Sequence, residues 1–250
     1  MAMNYSWNWG VLLQPTGVGN EVYWQWLLTG FKWLLVIGGS GWLIALIIGT
    51  ILGIMRTLPN KTARAIGTAY VSFFRNIPLL IQLFFWFYVA PTWLTPALQK
   101  WWFQELDPNT SAVVSASLGL GLFTAARIAE QVRTGIESLP KGQINAAYAL
   151  GFTLPQTYRH IVLPQAFRVI LPPMSSELTN CFKNASVASL VGVTELISQT
   201  KTISEYTQNN IEVYTFTTII YLLFNLVLIY FMTWLEKKLR IKGQIDGGGA

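Results

Sequence analysis

Long apolar runs alternate with short polar ones along the chain. Residues 33–55 are 23 consecutive positions without a charge, enough for a helix to cross about 30 Å of hydrocarbon. Within this run Ala45, Gly49 and Gly53 recur at every fourth position. They share one helix face, where small side chains let a second helix approach closely; small residues merely tolerated in lipid give the same pattern. A second span is predicted over residues 65–90, with Arg75, Asn76 and Pro78 inside it. A loop rich in Trp and Pro follows at 91–109. A third span starts near Ser111 and runs through "LGLGLFTAARIAEQVRTGI". A fourth covers 165–181 and contains Pro172, Pro173 and Glu177. Residues 184–197 are apolar but short, and read as re-entrant or interfacial. Residues 213–235 form a fifth span, again 23 positions without a charge. The expectation is an all-α polytopic membrane protein with about five transmembrane helices, residues 1–250 forming a single domain.

One stretch departs from this pattern, "NAAYALGFTLPQTYRHIVLP", residues 145–164. Ala146, Ala147, Ala149 and Leu150 favour helix. Gly151 sits where a helix would end. Thr153 can cap a second helix with Pro155 in its first turn, where a missing N–H costs nothing, and that helix is expected to end at Pro164. Two short helices at an angle, with apolar and basic faces, make a knob suited to a partner's groove. An amphipathic segment lying on the membrane surface is the equally open reading.

Composition sharpens the class. Only 11% of residues are charged, against about 25% in soluble domains. The net charge of +6 is read as the basic excess of cytoplasmic loops, not as nucleic-acid binding. Eleven basic residues (Arg56, Lys61, Arg64, Arg133, Lys141, Arg159, Arg168, Lys237, Lys238, Arg240 and Lys242) fall on one side of the predicted spans; three, Lys100, Lys183 and Lys201, fall on the other. The richer side is expected to be cytoplasmic. The N-terminus is then outside, and the C-terminus and the 140–164 segment inside. The N-terminal residues show no basic stretch before an apolar core, so the first span is expected to serve as the insertion signal.

Candidate chemistry is sparse. One cysteine, Cys181, excludes an internal disulfide and a cysteine metal cluster, and the lone His160 argues against a histidine metal site. His160 reads as an interface residue or a pH sensor. No G-x-x-x-x-G-K-[ST] loop is present to cradle ATP phosphates. Glu130 and Glu137 are conceivable as a catalytic dyad, but Arg127 and Arg133 accompany them at helical spacing. The set reads better as a salt-bridged stripe. Ionisable residues inside spans are costly, and so are functional candidates. Arg127 and Arg75 belong here with Glu130, and Gln82, Asn184 and Ser186 can offer neutral hydrogen bonds. Asn225 reads as glue between helices.

The segment "NAAYALG", nine residues, then "IVLP" resembles the coupling motif of the membrane subunits of bacterial ABC importers, which runs acid-Ala-Ala, three residues, Gly, nine residues, Ile-x-Leu-Pro. Ala146, Ala147, Gly151, Ile161, Leu163 and Pro164 match; Asn145 stands where the pattern has Glu. "FFRNIPLLIQLFFWF", "AEQVRTGIESLPKGQ" and "KNASVASLVGVTEL" resemble the polar amino acid importer branch, and the whole chain is similar to permease subunits of glutamate/aspartate importers. The resemblance implies the type I importer permease fold, in the bacterial inner membrane. It also implies a second, homologous permease, two ATPase subunits holding ATP and Mg, and an external substrate-binding protein. The chain itself would bind lipid but no cofactor and would not be an enzyme. Residues 140–164, with Arg159 included, would dock on the ATPase. Arg75 and Glu130 match the branch pattern, and Arg75 reads as structural or gating. At Arg127 the branch usually carries an uncharged residue. A guanidinium pairs bidentately with a carboxylate, so Arg127 is expected to recognise the extra carboxylate of an acidic amino acid; pairing with Glu130 is the other reading, and the two are compatible. The alternatives are a permease for another polar amino acid such as glutamine or, more distantly, a channel or an intramembrane enzyme.

Overall fold

The computed structural model describes residues 5–239. Arg240 and Lys242 of the basic tally lie outside the described residues. Within them the chain is helical, with one isolated bridge between Pro15 and Val22. The helices are α1 (Tyr23–Met55), α2 (Lys61–Asn76), α3 (Leu79–Phe84), α4 (Pro96–Lys100), α5 (Pro108–Glu137), α6 (Lys141–Ala149), α7 (Leu154–Thr157), α8 (Leu163–Ala185), α9 (Leu196–Thr207) and α10 (Asn210–Leu239). Among the described residues, α1, α5 and α10 are long and apolar enough to cross a membrane. The predicted second span is broken: α2 and the helical stretch after it meet at 103°. The cause is local. Pro78 brings no N–H, and it pushes Ile77 out of the helical region, to φ −106° and ψ 128°. Gln82 stitches the break, its Nε2 donating to the carbonyls of Phe74 and Ile77 at 2.9 Å each. The fourth predicted span is the 23-residue α8. Arg168, Glu177 and Lys183 leave it short of the other spans in hydropathy, and it packs between α1, α5 and α10.

The centre of the bundle is the α1–α5 contact, and the small-residue face of α1 makes it. A Cβ added at Gly49 would lie 2.7 Å from Ile128 Cβ and 2.8 Å from the Ala125 carbonyl oxygen; at Gly53 it would lie 2.5 Å from Val132 Cβ. Ala45 is fully buried on the same face. Gly49→Val should therefore lower the thermal midpoint of the purified protein, by the equivalent of about 1–3 kcal/mol of overpacking. Gly39→Ala is the control. Its Cβ would meet nothing within 4 Å, and that midpoint should hold or rise.

Residues 186–191 form a 3₁₀ turn closed by Gly192 in the left-handed region, φ +88°. The chain then enters α9, whose N-cap Glu195 accepts from the Ser198 N–H at 2.9 Å. The 186–191 turn, in the segment read from sequence as re-entrant or interfacial, packs against α3, α5 and α8, and α9 packs on α1 and α10.

Candidate functional site: an ion pair on an open helix face and a capped knob

Along α5, the residues left exposed or half-exposed include Val114, Leu118, Leu122, Phe123, Arg127, Gln131 and Thr134. They recur at helical spacing and mark one face that nothing else among the described residues covers. On α8 the corresponding face carries Pro172, Ser176, Asn180 and Lys183. Arg127 sits on the first face and reaches across to α8. Its Nε donates to Glu177 Oε2 at 2.6 Å and its Nη2 to Oε1 at 3.1 Å. The pair is asymmetric: the Arg127 side chain is 40% exposed and that of Glu177 only 7%.

The expected pairing of Arg127 with Glu130 is therefore corrected. Residues three apart on an α-helix lie only about 60° apart and can pair, as Glu130 and Arg133 do; Glu130 is instead taken up by Arg56 and Arg133, and Arg127 turns to the acid that α8 presents. Glu130 meets Arg56 of α1, whose Nη1 donates to Oε2 at 2.6 Å, and also Arg133 of its own helix, with Arg75 of α2 at 3.9 Å. Arg133 also bonds Glu137. The salt-bridged stripe is thus present, but it is a three-helix clamp joining α1, α2 and α5. Two neutral candidates have partners within the chain. Gln82 is buried at the α2–α3 break, and Ser186 Oγ donates to the Lys183 carbonyl at 2.7 Å. Ser186 also lines a cleft of about 570 Å³ with Lys183, Tyr221 and Asn225, apart from Arg127. Asn184 is half-buried. Asn225 donates at 2.7 Å to Tyr221 of its own helix, so its amide nitrogen does not bridge helices. Glu177 is the residue that sequence reasoning left without a role. A lone acid inside a span was the available signal; Ser176 and Asn180 gave none.

At one end of the bundle, α6 closes in a Schellman motif. The Phe152 N–H donates to the Ala147 carbonyl and the Gly151 N–H to Tyr148, both at 3.0 Å. Gly151 takes φ +82°. Thr153 then opens α7, and Gln156 Oε1 accepts from its N–H at 2.8 Å. The expected stop at Pro164 is corrected as well. A wide turn over Tyr158–Val162 carries α7 into α8, with the Leu163 N–H donating to the Tyr158 carbonyl. That shift of register absorbs the N–H that Pro164 lacks. Ala147 is buried, Ile161 and Leu163 are half-buried, and Asn145, Ala146, Arg159, His160 and Pro164 are exposed. Tyr148, Leu150 and Phe152 add exposed apolar area, Leu150 at 79%. Tyr158 Oη donates to the carbonyl of Thr57, at 3.0 Å, and ties this knob to the α1–α2 loop.

A helical bundle with an uncovered face and a capped knob at one end fits the membrane component of a transport system. The model of the family "Binding-protein-dependent transport system inner membrane component" matches residues 22–241, and the chain belongs to that family. It is an ABC importer permease, a transport subunit and not an enzyme. The chain is 44% identical over 245 residues to the glutamate/aspartate import permease protein GltJ of Escherichia coli K12, covering 98% of this chain and all of GltJ. It is 35% identical to the probable glutamine ABC transporter permease protein GlnM of Bacillus subtilis, over 77% of this chain and 83% of that one. Glutamate/aspartate import permease protein GltK of Escherichia coli O6:H1 is 30% identical, with coverages of 85% and 92%. A solved amino acid ABC transporter with histidines matches with TM-score 0.69 and 23% identity, covering 86% of this chain and 95% of that chain. That likeness bears on the fold.

Proposed function

We propose that this chain is one of two permease subunits that import glutamate and aspartate, delivered by an external binding protein and driven by ATP hydrolysed with Mg on two partner ATPase subunits. The observation that carries this is the full-length, 44% identity to GltJ. The 30% identity to GltK supports a homologous, non-identical partner. The site supports the substrate class. Arg127 places a guanidinium on the uncovered face of α5, where a side-chain carboxylate can reach it. Ser176 and Asn180, on the exposed side of α8, offer neutral hydrogen bonds. Glu130 and Arg75 belong to the clamp, which supports a structural or gating role for them and not substrate contact. Gln82, Asn184 and Ser186 stand as secondary candidates.

Residues 140–164 are the coupling segment of the single permease domain. Its framework is Asn145, Ala146, Ala147, Gly151, Ile161, Leu163 and Pro164, with Arg159 exposed for a partner. The test of the whole reading is uptake of labelled glutamate into liposomes that hold the assembled complex, with aspartate and glutamine as competitors. Competition by aspartate and not by glutamine is the expected result; preferential uptake of glutamine selects the runner-up, which the GlnM relationship favours.

The chain would sit with its N-terminus outside and its C-terminus in the cytoplasm, following the basic asymmetry. A reporter fused after Gly142 should register as cytoplasmic and one after Gln104 as external. The reverse pair of signals would overturn the orientation.

A further inference from the structure

We propose that Glu177 is a positioning residue that sets the direction and the strength with which Arg127 takes a substrate carboxylate. This rests on the reading of Arg127 above and assigns a role to the one buried acid in α8 that faces it. Three observations support it. First, Glu177 takes only one edge of the guanidinium, the Nε and Nη2 edge. A guanidinium has five N–H donors. Two are used by Glu177, and Nη1 has no hydrogen-bond partner among the described residues. Second, burial is graded across the pair: Glu177 lies on the inner side at 7% exposure and Arg127 on the outer at 40%. The occupied edge thus belongs to the deeper partner, and the open edge remains with the half-exposed one. Third, Arg127 lies on the uncovered stripe of α5, so a ligand carboxylate approaches from the side where no helix among the described residues intervenes.

The electrostatics follow. An unpaired guanidinium at this position would hold any carboxylate tightly. With Glu177 in place the empty site is neutral, and an arriving carboxylate meets both the guanidinium and a like charge behind it. A transport site has to release what it binds. Glu177 therefore weakens capture of an acidic ligand, and its side-on hold aims the remaining N–H groups outward. A neutral side chain such as that of glutamine makes no charge-assisted bond to the guanidinium and feels little of either effect.

The experiment uses the chain purified with the subunits it assembles with. Saturation-transfer NMR gives the dissociation constants of glutamate and glutamine in the absence of the binding protein, and liposome uptake gives maximal rates. Glu177→Gln keeps one acceptor for Arg127 and removes the charge. Glutamate should bind roughly tenfold tighter, its maximal uptake rate should fall, and glutamine binding should stay within about twofold. Glu177→Asp keeps the charge, and with it the assembly, but is one methylene too short for the side-on hold. Glutamate should bind several-fold more weakly, with glutamine again little changed. Equal shifts for both ligands in either variant would overturn the proposal. So would loss of assembly in Glu177→Gln that Arg127→Met with Glu177→Gln repairs, since the pair would then be structural only. Wild-type complex that neither binds nor takes up glutamate would instead overturn the parent reading, and it would show before any variant is made.

Discussion

Gly151→Val should abolish uptake while the spans still insert and the chain still reaches the membrane. The Schellman motif at the end of α6 requires φ +82° at this position. An L-residue in the left-handed region costs about 1–2 kcal/mol, and a β-branched one is a genuine outlier there. Space is not the obstacle, because a Cβ at Gly151 meets nothing within 4 Å. The expected damage is thus confined to the turn. It re-aims α6 against α7 and displaces Tyr148, Leu150 and Phe152, the exposed apolar surface of the knob. Gly151→Asn is the matched control, since Asn tolerates the left-handed region, and it should retain most of the uptake. The readouts are uptake, ATP hydrolysis, and co-purification of the ATPase subunits. Wild-type uptake by Gly151→Val would remove this turn from the coupling path.

Arg127→Met should have the second large effect, and the structure changes what it means. The substitution leaves Glu177, 7% exposed, as a buried carboxylate without a partner. Breaking a buried pair from one side costs about 3–5 kcal/mol; the half-exposure of Arg127 brings the expected loss toward the lower figure or below it. The single variant should assemble poorly and lose every substrate. Arg127→Met with Glu177→Gln removes both charges. It should recover assembly and a normal thermal midpoint, yet bind glutamate and aspartate about tenfold to a hundredfold more weakly, the worth of a charged hydrogen-bonding partner. Pairing Arg127→Met with Glu130→Gln, the combination that sequence spacing suggests, should rescue nothing and should loosen the clamp among Arg56, Arg75 and Arg133. Full recovery of glutamate affinity in the Arg127–Glu177 double variant would show that the arginine does not touch the substrate.

Periodicity made the helices legible, because hydrocarbon imposes run length and small residues mark close contacts. The Ala45, Gly49 and Gly53 face stood out for that reason, and of the two readings left open the structure selects close contact. The knob was legible through Gly151 and Thr153, whose conformational demands are local. What sequence did not reveal was partner choice over distance. Arg127 is three residues from Glu130 and fifty from Glu177, and spacing along one helix favours the near acid. The actual pairing depends on which face of α5 meets α8, a packing fact. Likewise Pro164 reads as a stop because proline lacks an N–H; the wide turn before it, which lets the helix continue, leaves no mark in composition. Gln82 looked like a free amide because Pro78 was read as lying inside one continuous span; Pro78 breaks the helix, and the carbonyls of Phe74 and Ile77 that the break frees take up the amide.

The continuity of α7, the wide turn and α8 has a mechanical consequence. From Tyr158 to Glu177 the backbone is an uninterrupted rod of 19 steps, about 28 Å at 1.5 Å per residue. Its foot is in the knob and its upper part carries the Glu177 carboxylate. A tilt of only about 5° at the foot swings the far end through roughly 2.5 Å, by the same helical rise, which is comparable to the whole length of the 2.6 Å bond to Arg127. Pro172 and Pro173 lie inside the rod and leave two carbonyls without their N–H partners, so a bend there, five residues below the carboxylate, takes up part of such a tilt. A displacement at the knob and the grip on Arg127 are thus joined by one length of helix, and a tilt passed along it would change the length of the ion pair.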